Sequence, residues 1–278
     1  MSKEKFYNFF NDFYKEEIIN VVKYPIYIPS KGRPTCVTAK VLEESGLNYL
    51  IVVEPQDYEQ YSIYHKHDKM VCLEKDNQGI PYVRNFCKEH SDAKYHWQFD
   101  DNIRSFKVRK DGKNIKEDPS KLISIIETFT NHFENIGISG FSHDIFAWTK
   151  KYPIDINKQC YSGVLVNNNI SIKWRDNVVE DTDYSLQVLS KEYCTLLFNT
   201  LLIVKEATKK GNGGNDNSDS WRLNRSLGLQ NYWPEANFKI TREYGRVKIK
   251  PSQIWKKFTH MPKGSNMDFN DNDLSEFF

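Results

Sequence analysis

Between Tyr24 and Asn102 the chain alternates short apolar runs with helical periods, and this limits the folds open to it more than any other feature. "YPIYIPS" (24–30) reads as a strand stopped at Pro29, and Pro34 suits the first turn of a helix reaching about Ser45. "NYLIVVEP" (48–55) is a second buried strand ending on Glu54, and "KMVCLE" (69–74) is a third. A helix from about Ile80 to Glu89 then leads into "YHWQFDDN" (95–102). Strands and helices at this spacing predict βαβ units in an α/β fold with a mainly parallel sheet. Ligands of such sheets sit at the carboxyl ends of the strands. The loop Ser30–Arg33, Glu54 and Asp100–Asn102 occupy three such ends.

In the fourth run Tyr95, Trp97 and Phe99 alternate as one buried face, and two adjacent acids then arrive together. Neighbouring carboxylates repel, and burying either without a partner is expensive. A divalent cation would resolve the conflict, because hard cations take oxygen ligands and need only one or two carboxylates when substrate phosphates supply the rest. The alternative is turn chemistry, with the acids capping a turn or pairing with Arg104. Neighbouring segments favour the cation. "NQGIPYVRNF" (77–86) brings Arg84, whose fork suits phosphate oxygens, and "PSKGRP" (29–34) brings Ser30, Arg33 and backbone donors at a helix start.

Elsewhere, Phe6, Phe9, Phe10, Phe13, Tyr14 and Ile18 recur at helical spacing and predict an amphipathic helix within residues 1–23. Asp118 and Pro119 read as an N-cap and N1 pair opening a further helix. "IGISGFSH" (136–143), "YSGVLVNN" (161–168) and "YCTLLFNTLLIVK" (193–205) are strand candidates, and "NVVEDTDYSLQVLSKE" (177–192) is a helix with an acidic start. "KKGNGGNDNSDS" (209–220) is a polar loop. No run approaches the roughly 18 uncharged apolar residues of a membrane span, and the charged opening lacks a signal peptide's apolar core, so the expectation is a soluble cytoplasmic chain with no membrane partner. The 5 cysteines (Cys36, Cys72, Cys87, Cys160, Cys194) have no zinc spacing and read as reduced thiols.

The order of PSKGR, a strand ending in Glu54, N-x-G-x-x-x-x-R-N, an aromatic strand ending in Asp-Asp, and a later Glu-Asp-x-Asp helix start resembles the nucleotide-sugar glycosyltransferases of GT-A fold. Within them it most resembles the phage TET-associated glycosyltransferases, which attach sugars to hydroxymethylated pyrimidines in DNA. Residues 24–105 carry the likeness best, the Glu-Asp helix carries it well, and Met1–Lys23 and the acidic tail have no counterpart. The resemblance implies a Rossmann-like domain over 24–204, with a mixed, mainly parallel sheet flanked by helices. Its nucleotide-sugar half is 24–105 and its acceptor half 106–204; a basic extension at 205–263 belongs to the same domain and binds the acceptor, and an acidic tail covers 264–278.

Residue by residue, the resemblance implies that Pro29, Ser30, Arg33 and Glu54 contact the nucleoside of a UDP-sugar and that Arg84 and Asp101 lie along the nucleotide. Asp100 and Asn102 take the outer places of the D-x-D metal motif for manganese or magnesium; which of Asp100 and Asp101 faces the ion stays open. A third ligand is often a late histidine, for which His260 is the candidate and His143 its rival. Asp181, then Glu180, is the base expected near the acceptor. At a helix N-terminus its charged form is favoured, which keeps it available but makes it a weak base.

The formal net charge of +2 hides an asymmetry. Residues 205–263 carry 13 Lys/Arg against 5 Asp/Glu, a net +8, interleaved with Trp221, Tyr232, Trp233, Tyr244 and Trp255, whereas 264–278 carries 4 acids and no base. Cations among aromatics suit nucleic acid. Together with the resemblance, which implies the activity, the expectation is a monomeric, metal-dependent, inverting transferase that moves sugar onto hydroxymethylated DNA in a phage-infected bacterium, with the target base flipped out. The alternatives are the same chemistry on a glycan or protein acceptor, a nucleotidyltransferase, and a non-catalytic nucleic-acid-binding protein.

Overall fold

The computed structural model describes residues 2–13, 21–206, 218–243, the backbone of 246–250, and 253–264. The N-terminal half runs α1 (Lys3–Phe13), β1 (Ile26–Pro29), α2 (Val37–Glu44), β2 (Leu50–Val53), α3 (Pro55–Ser62), β3 (Met70–Cys72), α4 (Ile80–His90) and β4 (Tyr95–Phe99). A hairpin, β5 (Ile103–Lys110) and β6 (Lys113–Lys116), leads to α5 (Pro119–Asn131), β7 (Ile136–His143), β8 (Ile154–Ile156) and β9 (Gly163–Asn167). Then come α6 (Glu180–Ser190), β10 (Cys194–Lys205), α7 (Asp219–Tyr232), β11 (Lys239–Glu243) and β12 (Arg246–Lys250).

Ten strands form one sheet in the order β3-β2-β1-β4-β9-β7-β10-β5-β6, with β8 also on β10. The first four are mutually parallel, as the βαβ reading requires. Beyond β4 the sheet is mixed: β9 is antiparallel to β4 and to β7, β7 is parallel to β10, and β10 is antiparallel to β5. Two reversals restore direction, so β7 and β10 point the same way as β4. The carboxyl ends of β1, β2, β4, β7 and β10 therefore leave along one edge, bringing Ser30, Glu54, Asp100, His143 and Lys205 to the same side of the molecule.

The strand β4 differs from its predicted half-buried alternation, for all five of its residues are buried. Tyr95, Trp97 and Phe99 enter the main core, where the Trp97 and Phe99 rings stack at 5.1 Å. On the other face His96 and Gln98 are covered by α4, and their polarity is met inside the fold: Gln98 accepts from Arg84 Nη1 at 3.0 Å and donates to Arg84 O at 2.9 Å and His96 Nε2 at 2.8 Å. Gly163 of β9 clears room for the Phe99 ring, and Gly140 of β7 lets the two strands approach. A Cβ on Gly163 would stand 2.9 Å from the Phe99 ring, and one on Gly140 would stand 2.9 Å from Gly163 O.

The helix α1 docks Phe6, Phe10 and Phe13 on the core beside Phe129, Phe133 and Phe198; Tyr14 and Ile18 of the predicted period lie outside the described residues. The expected N-cap holds, since Asp118 accepts from Ser120 N at 2.7 Å. The helix predicted to open at Pro34 begins at Val37 instead, because Gly32 (φ 62°) and Cys36 (φ 32°) are left-handed and break the first turn. Of the basic extension, α7 and the segment around Trp255 pack on α6 through Leu186, Leu189, Leu229, Phe238 and Ile254. Most of the 209–220 loop, the tail beyond Gly264, Tyr244, and the side chains of Lys248 and Lys250 lie outside the described residues. The five cysteines are free thiols, all buried except Cys72.

Candidate active site

One cavity of about 490 Å³ opens at the carboxyl edge of the sheet, lined among others by Pro29, Ser30, Arg33, Glu54, Arg84, Asp100, Asp101, Asn102, Glu180 and Asp181. Ten of the eleven residues expected to make a site are thus brought together from five segments of the chain. His260 is not. Its Nε2 donates to Tyr193 O at 2.8 Å, beside the first residue of β10, whereas the cavity lies at the last. Twelve residues of strand separate the two, roughly 35 Å at a normal rise. His143 is closer to the chemistry, within the field of Lys205 and Asp100; burial and then Lys205 push its imidazole down to about 4, so it is neutral, and its Nε2 is buried without a hydrogen-bond partner among the described residues.

The two adjacent acids have different surroundings. Asp101 is 5% exposed and fully engaged: Oδ1 meets Arg33 Nη1 at 2.6 Å, and Oδ2 accepts from Ser30 Oγ at 2.7 Å. Since the Ser30 proton goes to the carboxylate, Tyr61 OH must donate to Ser30 Oγ across their 2.6 Å contact, while accepting from Arg33 N at 2.9 Å. Burial still holds the Asp101 carboxyl above the usual range, against the pull of Arg33. Asp100 is the acid that faces the cavity. Its Oδ2 meets Lys205 Nζ at 2.5 Å and its Oδ1 lies 3.6 Å from Arg84 Nη2. Burial opposes its ionisation, yet Lys205 and Arg84 outweigh burial and hold it below the usual range.

The start of α2 was expected to offer backbone donors to an anion, and the structure shows them spent elsewhere. Thr38 N donates to Asp101 O at 3.2 Å, and Thr38 Oγ1 donates to Asp100 O at 2.5 Å while accepting from Ile103 N at 2.8 Å. The helix end fixes the Asp100–Asn102 turn. Cationic side chains line the cavity in its place: Lys31 bridges Glu54 Oε2 at 2.6 Å and Asn77 Oδ1 at 2.7 Å, and Arg33, Arg84 and Lys205 complete the set.

On the acceptor side, α6 presents three acids with three fates. Glu180 is ion-paired to Arg225, and Asp183 is fully buried against Arg175, Trp233 Nε1 (2.8 Å) and Gln187 Nε2 (2.7 Å). Asp181 keeps an oxygen in the cavity, with Oδ1 3.4 Å from Arg84 Nη2. Its helix position was expected to favour the charged form. Instead burial dominates and raises its carboxyl above the usual range, with Arg84 opposing and Asp100 reinforcing the shift. A raised pKa makes it the stronger base.

Four cations of the lining (Lys31, Arg33, Arg84, Lys205) stand against five acids (Glu54, Asp100, Asp101, Glu180, Asp181), and Arg225 offsets the fifth by pairing with Glu180 from outside the lining. No group of three His, Cys, Asp or Glu side chains among the described residues forms a metal cage. The donor set still fits a hard divalent ion that shares its oxygens with substrate phosphates, since Asp100 supplies one cavity-facing carboxylate and an entering diphosphate adds negative charge that a cation offsets.

Of the aromatics in the basic extension, Trp255 is buried, Trp233 is tied to Asp183, and Trp221 lines the cavity with Arg225 stacked on its ring at 4.1 Å. Lys31, Tyr61, Asn77, Gln98 and Lys205 were not anticipated as site residues. Lys31 sits inside the quoted PSKGR segment, and Lys205 is the polar end of an apolar strand, so both carried a readable signal.

The family model of the TET-associated glycosyltransferases matches residues 24–214. The chain belongs to that family. The match spans both halves of the cavity and ends before α7. No curated protein matches. Among solved structures, S. aureus TarS (residues 1–349) is similar at 9% identity, covering 73% of this chain and 63% of that one at TM-score 0.40. The inositol-1-phosphate CTP transferase of T. maritima is similar at 9% identity, covering 76% and 99% at TM-score 0.44. The apo-form glycosyltransferase GlyE of Streptococcus pneumoniae TIGR4 shares 14% identity, covering 63% and 45% at TM-score 0.34. This chain thus spans less than two thirds of TarS and less than half of GlyE. Among the described residues, no helix is long and apolar enough to cross a membrane.

Proposed function

We propose that this member of the TET-associated glycosyltransferase family moves a sugar from a UDP-sugar onto the hydroxymethyl group of 5-hydroxymethylcytosine, or a related pyrimidine, in phage DNA, with inversion. The observation that carries the reading is that Arg84 Nη2 stands between Asp100 and Asp181 in one cavity, at 3.6 and 3.4 Å. A pole for the donor's phosphates beside a carboxylate for the acceptor supports this reading.

In this scheme Asp181 takes the proton of the acceptor hydroxyl as its oxygen attacks the anomeric carbon. The bond from that carbon to the β-phosphate oxygen breaks, and the electron pair leaves with UDP. Arg84 and Lys205 absorb the charge that develops on the leaving group. Ser30, Arg33, Glu54 and Pro29 line the nucleoside side of the cavity, and Lys31 reaches the same region through Glu54. A manganese or magnesium ion at Asp100 and Asn102, with His143 the nearer imidazole, would supply Lewis-acid stabilisation of the same diphosphate. Glu180 is held by Arg225, which leaves Asp181 as the base.

The test is incubation with hydroxymethylated duplex DNA and a panel of sugar nucleotides, followed by nucleoside mass spectrometry. A new glycosylated nucleoside that depends on Asp181 supports the reading. Transfer to free saccharide or protein and never to modified DNA contradicts it.

A further inference from the structure

The acceptor must reach the cavity across some surface, and the most suitable one lies outside the basic extension. The hairpin β5–β6 carries 6 Lys/Arg between Arg104 and Lys116 against one acid, Asp111. Arg104, Lys110, Lys113 and Lys116 are exposed and make no ion pair among the described residues; Lys116 shares the face of Lys107 and Arg109, while Lys110 and Lys113 stand opposite each other at the tip of the hairpin. Across one face of the hairpin lies the short helical segment Asp144–Thr149, tied down by Lys107 Nζ to Asp144 Oδ2 (3.0 Å) and Asn114 Nδ2 to Asp144 O (3.4 Å). It leaves large apolar side chains in solvent: Ile145 at 67%, Phe146 at 44% and Trp148 at 64% exposed. Arg109 stacks on the Trp148 ring at 4.3 Å.

This patch is continuous with the cavity. The strand β5 starts one residue after Asn102, and Ile103 pairs with Lys205. Phe146 stacks on His143, which lies in the field of Lys205 and Asp100. Exposed aromatics among unpaired cations are costly to keep in water, and a polyanion bearing flat apolar bases satisfies both at once. The eight residues of β5 span about 25 Å, the length of roughly seven phosphates along one strand.

We propose that DNA docks on the β5–β6 hairpin and the 144–149 segment, with the lysines and arginines on its phosphates and Trp148 and Phe146 against unstacked bases next to the target. The proposal deepens the reading of a DNA acceptor and rests on it, but it is read out by binding alone.

The experiment measures affinity for a labelled hydroxymethylated duplex by anisotropy between 50 and 200 mM salt. In the triple variant K110Q/K113Q/K116Q the slope of log affinity against log salt falls by roughly 2 to 3, near 0.9 for each phosphate that is no longer neutralised. Trp148→Ala weakens binding about tenfold, the scale of one base stack. The pair K256Q/K257Q, exposed on the basic extension, leaves the slope unchanged. If the triple variant loses solubility with an unaltered slope, these lysines only guard an edge strand and the proposal fails. It also fails if the wild-type chain binds phosphatidylglycerol vesicles and not DNA. Wild-type transfer to DNA with unaltered affinity in all variants refutes the docking surface and leaves the function standing. Variant-sensitive DNA binding without any transfer supports the surface and refutes the function.

Discussion

Arg84 Nη2 lies 3.6 Å from Asp100 Oδ1 and 3.4 Å from Asp181 Oδ1, so one buried guanidinium joins the acid that ends β4 to the acid that opens α6. Arg84 is 4% exposed, and removing it strands two partly buried carboxylates beside each other. Arg84→Met is expected to lose about 3 kcal/mol or more of stability, the scale of a broken buried pair, and transfer should fall at least about 100-fold. Urea unfolding and steady-state rates measure both.

Gln98 holds that guanidinium in place. Its amide nitrogen donates to His96 Nε2, so the His96 proton is on Nδ1, facing Asn168 Oδ1 at 2.6 Å; burial keeps His96 neutral, with its pKa lowered to about 3. Gln98→Leu removes the acceptor of Arg84 Nη1 without touching substrate. The expected outcome is a fall in kcat of about tenfold with KM for the donor nearly unchanged. An equal rise in KM would mean that the chain only supports the nucleotide wall.

Asp181→Asn removes the base and should lower transfer by roughly 100- to 10,000-fold while donor binding persists. Its raised pKa fixes two signs. Activity should fall as pH drops through a value above the usual carboxylate range. A raised folded-state pKa also means that the group favours folding below its unfolded pKa and that this contribution is lost as pH rises through the folded value. Asp181→Asn should therefore be more stable than wild type at neutral pH, by denaturant titration, while being nearly inactive.

Asp100 has the opposite sign. Its lowered pKa contributes stability that is present above the unfolded carboxylate value and lost as pH falls through the folded one. Lys205→Met removes the largest attraction behind that shift. The variant should show a smaller loss of stability between neutral and acid pH than wild type, measured as the difference in urea midpoints.

How far the sequence could show this architecture depended on what each segment packs against. The four parallel strands and the helices α4, α5 and α6 were readable because each buries a regular apolar face, α5 in the main core and α4 and α6 in smaller clusters beside the sheet. The hairpin β5–β6 is faint in the sequence: β6 is a short edge strand with lysine at both ends, and the buried Ile103, Phe106 and Val108 of β5 are separated by Arg104, Lys107 and Arg109. The helix α3 follows directly on Glu54 with Tyr61 its only buried side chain, and α7 buries only Ser226 and Leu229, so both periods are faint. The Asp-Asp pair was legible as a site. Its division of labour was not, because only the fold shows Arg33 and Ser30 taking Asp101 and leaving Asp100 to the cavity. His260 illustrates the limit: a late histidine in sequence says nothing about which end of β10 it reaches.

The rings under the turn give a further test. A methyl on Gly163 would enter the Phe99 ring at 2.9 Å, in a strand packed on both faces. Gly163→Ala is expected to cost about 1–3 kcal/mol by overpacking, read from the urea midpoint.

The central claim is that Asp100 anchors the cationic charge on which a nucleoside diphosphate sugar is held. Calorimetric titration of UDP-sugar into the wild-type chain and Asp100→Asn, each with and without manganese, tests it directly. Manganese should tighten binding to the wild type at least tenfold and leave Asp100→Asn unaffected. Equal affinities in both proteins, with the same response to manganese, would contradict it.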